Sequence, residues 1–200
     1  GYYYDVNFKD RFGELFGRTD IGRDPTPLAN SFLVLKFDFS TIQVGTVREI
    51  EERFCANVRG MVGSFAVSYG HLADWSDAVS AETPSAMIDA LRRVIADRRL
   101  PPLYVIIDEY DNFTNELVVS RRDAEYDAIC GHDADAARES FFKAFFKSFK
   151  AGLADGTVGR TYFTGVLPIT LDDLSSGFNV GTVVSLDEDK LGIVGFSESQ

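Results

Sequence analysis

The chain has 200 residues, enough for one large domain or two small ones, and an ordinary 45% of hydrophobic residues for a globular protein. Its 31 acidic against 20 basic side chains give a net charge of −11. That balance argues against direct nucleic-acid binding by the surface as a whole, because phosphate recognition needs a basic footprint.

Residues 1–30 begin aromatic and then turn polar. The stretch 19–27 holds two prolines and a glycine, which break any regular element, so it reads as turns. Residues 31–39, SFLVLKFDF, read as a strand. Over 47–69, Val47, Ile50, Phe54, Val58, Met61, Val62, Phe65 and Tyr69 recur every three or four positions and share one helix face. Gly60 and Gly63 weaken that helix by ~1 kcal/mol each relative to alanine. Residues 71–82 read as a loop. Thr83 and Pro84 then open a second helix, a cap followed by proline at the first helical position. Met87, Ile88, Leu91, Val94 and Ile95 line its face up to Arg99, and Pro101-Pro102 end it.

Residues 103–107, LYVII, are a short apolar run of the kind that is buried on both faces of a sheet. Residues 114–137 read as polar and irregular. A helix follows over 138–153, with Phe141, Phe142, Phe145, Phe146 and Phe149 on one side and Lys143, Lys147 and Lys150 on the other. The phenylalanine stripe reads as a core face with a solvated lysine face opposite, in preference to a membrane-surface helix. Asp155-Gly156 stops it. Residues 161–166 read as another buried strand, 168–179 as a polar loop, and 182–186 as a short strand. No run reaches the roughly 18 apolar residues of a membrane span, and Gly1, Tyr2, Tyr3, Tyr4 and Asp5 do not open a signal peptide. Two isolated cysteines, Cys55 and Cys130, support neither a disulfide framework nor a thiolate metal site and point to a cytoplasmic setting. Cys130-Gly131-His132-Asp133 has metal-ligand residue types but lacks the partner ligands zinc needs.

Strands that alternate with helices, each strand nearly all apolar, predict an α/β fold with a parallel sheet covered by helices on both faces. In such sheets ligands sit beyond the carboxyl ends of the strands. The stretch LYVIIDEYDNF, 103–113, runs a strand straight into Asp108, Glu109, Tyr110 and Asp111 at that end. Three acids in four positions repel one another and are costly to desolvate, so something positive is expected there. A hydrophobic strand ending in Asp-Glu is also the pattern of a Walker B motif. There the Asp helps hold Mg²⁺, and the Glu can polarise the attacking water. The same pattern ends some ordinary strands by chance. The strand at 161–164 ends in a small polar residue, Thr164, followed by Gly165.

Five stretches occur in the order YYYDVNFKDRFGELF (2–16), FLVLKFDFS (32–40), IIDEYDNFTNEL (106–117), FTGVLPITLDDLSSGFN (163–179) and LGIVGFSESQ (191–200). Together they resemble the AAA-ATPase-like family, P-loop proteins often found in bacteria fused to a PD-(D/E)XK-type nuclease domain. The resemblance covers essentially all 200 residues, and IDEYDN and TGV…D…SGFN are its most specific parts.

The resemblance implies a single domain over 1–200, a three-layer P-loop NTPase-like fold with a mostly parallel sheet. It implies ATP and Mg²⁺ as cofactors. By the same resemblance Asp108 holds Mg²⁺ through water, Glu109 serves the catalytic water and Thr164 is a sensor that touches the γ-phosphate or the water. Asp111 falls at the nucleotide site; with Asn112 it matches the family's EYDN, either orienting Glu109 or capping the next helix. Asp38 ends its own strand at the same edge or serves as an ordinary loop-proximal acid. Ser176, Gly177 and Asn179 match the motif as a turn near the site. Arg121-Arg122 is either a surface pair or an arginine finger in a homo-oligomer, and Asp172-Asp173 reads as a helix-start acid pair.

The family's phosphate loop, a Gly-Lys-Ser/Thr segment, is expected one helix before YYYD. The 200 residues contain no G-x-x-x-x-G-K-[ST]. Residues 1–5 are then expected to be the tail of the first helix, with the first strand and phosphate loop ahead of Gly1 and the lid and nuclease-like effector beyond Gln200. Without the backbone N–H cradle and its lysine, the triphosphate loses its main anchor, so ATP hydrolysis is expected of the larger protein and not of this segment alone. The alternative is a nucleotide-inactive scaffold for protein association.

Overall fold

The computed structural model describes residues 1–130 and 140–166, together with residues 182 and 184. Strands β1 (Leu33–Asp38), β2 (Leu103–Asp108) and β3 (Val158–Phe163) form one parallel sheet in the order β1-β2-β3. Pairing between β1 and β2 runs from Leu33↔Leu103 to Asp38↔Asp108. Pairing between β2 and β3 starts at Leu103↔Val158 and, past an irregularity, runs from Tyr104↔Arg160 to Ile107↔Phe163.

A 3₁₀ helix (Val6–Arg11) and the short helices α1 (Phe12–Phe16) and α2 (Asp20–Arg23) precede the sheet. Between β1 and β2 lie α3 (Val47–Ser68), α4 (Ser76–Ser80) and α5 (Pro84–Arg98). Between β2 and β3 lie α6 (Asn112–Val119), α7 (Asp123–Cys130) and α8 (Phe141–Asp155). The long helices begin where side chains can satisfy their open N–H groups. Thr46 and Glu49 form a reciprocal capping box on α3. Thr83 Oγ1 accepts from Ala86 N on α5. Ser140 Oγ accepts from Phe142 and Lys143 N on α8. Gly156, at φ 81°, ends α8 in the left-handed conformation that glycine adopts without strain.

The core forms on one face of the sheet. Leu33, Leu35 and Phe37 of β1 and Leu103, Val105 and Ile107 of β2 are at most 1% exposed. Helices α3 and α8 lie against the sheet, and α5 packs across both. Phenylalanines fill the junction: the Phe145 ring lies 5.1 Å from Phe54, 5.4 Å from Phe37 and 4.9 Å from Phe149. Each such buried ring contributes about 1.5–3 kcal/mol.

The opposite face is only half covered. Val34, Tyr104 and Ile106 are half-buried, Lys36 and Arg160 are exposed, and Tyr162 is 49% exposed. The N-terminal segment reaches this face through Tyr4, whose ring lies edge-on to Tyr104 at 4.8 Å. Burial of β2 on both faces and a helical cover on both sides were expected; among the described residues full burial holds for one face.

Other expectations shift. Residues 2–4 form a turn and Asp5 bridges to Phe32, where a helix tail was expected. The loop 71–82 contains α4, pinned by the buried Trp75, whose Nε1 donates to Tyr69 O at 2.9 Å. Within the stretch 114–137, read as irregular, residues 114–119 and 123–130 are helical, in α6 and α7; Phe113 and Leu117 on α6 and Ile129 on α7 are fully buried. Strand β3 starts three residues early, at Val158. Its Gly159 allows close packing: a Cβ there would lie 2.7 Å from Phe32 Cε1. His132, the loop at 168–179 with Asp172, Asp173, Ser176, Gly177 and Asn179, and all of 182–186 except residues 182 and 184 lie outside the described residues. Among the described residues no helix is long and apolar enough to cross a membrane.

Candidate active site at the strand ends

Parallel strands place all their carboxyl ends on one edge, and here that edge is acidic. Asp38 and Asp108 are register partners at the last pair of β1 and β2. Phe163 pairs with Ile107, so Thr164 falls beside Asp108 just past the end of β3. The ladder continues there. Thr164 N donates to Ile107 O at 2.9 Å, and Tyr110 N donates to Thr164 O at 3.1 Å. Thr164 Oγ1 donates to Asp108 Oδ1. On the other flank Phe39 N donates to Asp108 O at 3.1 Å.

Glu109 turns the chain out of β2 with φ 54°. A non-glycine residue in that left-handed region costs about 1–2 kcal/mol, and such residues cluster at functional sites. Asp108 is exposed and Glu109 half-buried.

Asp111 is completely buried. It occupies the N-cap position of α6, but its side chain caps nothing. Its carboxylate instead accepts from Asn115 Nδ2 at 2.7 Å and from Val166 N at 3.0 Å. The capping role weighed from the sequence is therefore replaced by a bond to the chain that follows β3. Gly165 makes that approach feasible: a Cβ there would lie 2.3 Å from Asp111 Oδ1 and 2.5 Å from Tyr110 Cε1.

Asn112 takes the other side. Its Nδ2 lies 3.3, 3.2 and 3.4 Å from the carbonyl oxygens of Phe39, Ser40 and Ile42, in the loop after β1. Sequence reasoning missed this brace; the EYDN match singled Asn112 out but did not indicate its partners. Asp38 Oδ1 accepts from Ser40 N at 2.9 Å, and hydrogen bonding to Ser40 holds its carboxyl below the usual range. Asn57 Nδ2 donates to Asp38 O at 2.9 Å. Arg122 donates to Gly45 O at 2.7 Å and pairs with Glu125 at 2.7 Å, so its guanidinium braces the loop after β1. Arg121 is exposed, in a left-handed conformation at φ 56°.

Among the described residues, none of the ion pairs includes Asp38, Asp108 or Glu109. Acids gathered at one edge without a basic partner favour a cation. The donors on offer are carboxylate and hydroxyl oxygens, hard ligands that suit Mg²⁺ and not zinc. No group of three or more His, Cys, Asp or Glu among the described residues could hold a metal. Mg²⁺ commonly takes one or two carboxylates and completes its shell with water and substrate phosphates.

Compared with known families, residues 1–175 match the model of the one described as AAA-ATPase-like, predicted AAA-ATPase. No curated protein and no solved structure matches the chain.

Proposed function

Because this chain belongs to the AAA-ATPase-like family, we propose that it is the Mg²⁺-dependent ATP-hydrolysing module of a larger cytoplasmic protein. Residues 1–200 are read as one such domain, and its turnover switches an attached effector of nuclease type. One observation carries the reading: Thr164 Oγ1 bonds Asp108 at the acidic mouth of a parallel sheet, next to a left-handed Glu109.

The roles follow from position. Asp108, exposed at the end of β2, would hold Mg²⁺ with Thr164 beside it. Bound together with ATP, the cation supplies positive charge against the β- and γ-phosphates. Glu109, left-handed and half-buried just past the end of β2, would orient and polarise the attacking water. Thr164 presents a hydroxyl that can face either Asp108 or a phosphate oxygen, which suits a sensor. Asp38 adds negative charge at the same edge.

The phosphate-binding loop is proposed to come from a strand ahead of Gly1. Among the described residues β3 pairs with β2 alone. Its outer edge, and the half-covered face around Ile106 and Tyr162, are surfaces such a segment would cover. A second reading, a nucleotide-inactive scaffold, is favoured by the lack of G-x-x-x-x-G-K-[ST] in these 200 residues.

ATP hydrolysis by the full-length protein, with and without Mg²⁺, decides between them. The ATPase reading expects Mg²⁺-dependent turnover that Asp108→Asn abolishes. A scaffold shows no turnover in either protein.

A further inference from the structure

We propose that Asp111 is a positioning residue that sets the contact between Thr164 and Asp108 by clamping the backbone of Gly165 and Val166 to the turn after β2. Its consequence for turnover rests on the ATPase reading; the clamp itself does not.

A fully buried carboxylate is costly unless its oxygens are satisfied. Asp111 spends its oxygens across the fold. Val166 N donates to both, at 3.0 and 3.2 Å, and Asn115 Nδ2 donates to Oδ2 at 2.7 Å. The side chain makes no capping bond to the first N–H groups of α6, where an aspartate at this position ordinarily contributes about 1 kcal/mol. The result is that Thr164 is held in three places. Its N–H bonds Ile107 O, its carbonyl accepts from Tyr110 N, and the amide two residues on is held by Asp111. Between them Gly165 packs so closely against the side chains of Asp111 and Tyr110 that a single added methyl must displace one of those side chains or the strand end.

Asp111 itself reaches no reacting atom in this scheme. It sits at the N-cap of α6, a helix that packs in the core through Phe113 and Leu117. A rigid base of that kind fixes the hydroxyl of Thr164 relative to the metal-holding carboxylate. Misplacement by about 1 Å in such a site costs about 100-fold in rate.

The test uses the full-length protein with Asp111→Ala, which removes the acceptor, and Gly165→Ala, which keeps Asp111 but forces a methyl into its contact with the chain. Residue-resolved amide exchange is measured without nucleotide, alongside steady-state ATP hydrolysis. In either variant the Val166 amide is expected to exchange at least about 10-fold faster. The turnover number kcat is expected to fall by about 100-fold with KM for ATP nearly unchanged. If Asp111→Ala fails to fold, Gly165→Ala decides alone. A folded variant whose Val166 amide exchanges at the wild-type rate overturns the clamp. Faster exchange with wild-type kcat overturns its positioning role. If the wild-type protein hydrolyses no ATP, the ATPase reading falls, and the clamp is judged on the exchange alone.

Discussion

Thr164 Oγ1 donates a hydrogen bond to Asp108 Oδ1, joining the ends of two adjacent parallel strands across 56 positions of chain. The acid receives a neutral donor there and forms no ion pair among the described residues. A hydroxyl so placed can trade Asp108 for a phosphate oxygen when a cation engages the acid. Thr164→Val keeps the shape and removes the donor, so it should lower kcat for ATP by about 100-fold. Thr164→Ser should keep most of the activity, and steady-state kinetics of the three proteins checks the pair.

Glu109 holds a left-handed backbone, at φ 54°. Glycine relieves the steric cost of about 1–2 kcal/mol but loses about 0.5–1 kcal/mol of chain entropy on folding. Glu109→Gly should therefore leave stability unchanged or raise it by up to about 1.5 kcal/mol, while ATP hydrolysis is lost. Chemical denaturation read beside activity measures both.

Asp155 joins α8 to α5 and β3. It accepts from Thr157 N at 3.0 Å and Oγ1 at 2.6 Å, and pairs with Arg92 at 2.5 Å. Burial pushes its carboxyl up, but the Thr157 bonds and Arg92 together hold it below the usual range. A depressed folded-state pKa adds stability above the unfolded value near 3.9, and that stability is lost as pH falls through the folded value. Asp155→Asn should lower Tm at pH 7, and the gap from wild type should close below about pH 4. Thermal melts across pH 3–7 (roughly the carboxylate range) test this.

Phe145 touches Phe37, Phe39, Phe54, Phe146 and Phe149 and is fully buried. Truncation there empties the centre of the contact between α8 and the sheet. Phe145→Ala should cost about 3–5 kcal/mol by urea denaturation, and Phe145→Leu less.

The elements legible in the sequence are those whose pattern lasts. Helix α3 keeps one apolar face from Val47 through Phe65, α5 opens on a Thr-Pro cap, and α8 carries a phenylalanine stripe and a glycine stop. Helices α6 and α7 have eight residues each, barely two turns, which is too short for a period to stand out from polar neighbours. The start of β3 was hidden by Gly159, which reads as a breaker but here lets the strand pack against Phe32 and Pro102.

At the site, the acid pair stood out because a buried strand ended in charges, and parallel strands share one carboxyl edge. That Asp111 would reach Val166, 55 positions away, was not legible. Nothing local distinguishes a carboxylate that caps its own helix from one that reaches into the next loop.

Steady-state ATP hydrolysis by full-length protein carrying Glu109→Gln tests the central claim most directly. The substitution keeps the size of the side chain but removes the charge proposed to polarise water. Turnover should fall by at least about 100-fold while ATP still binds. Hydrolysis at the wild-type rate would contradict the account.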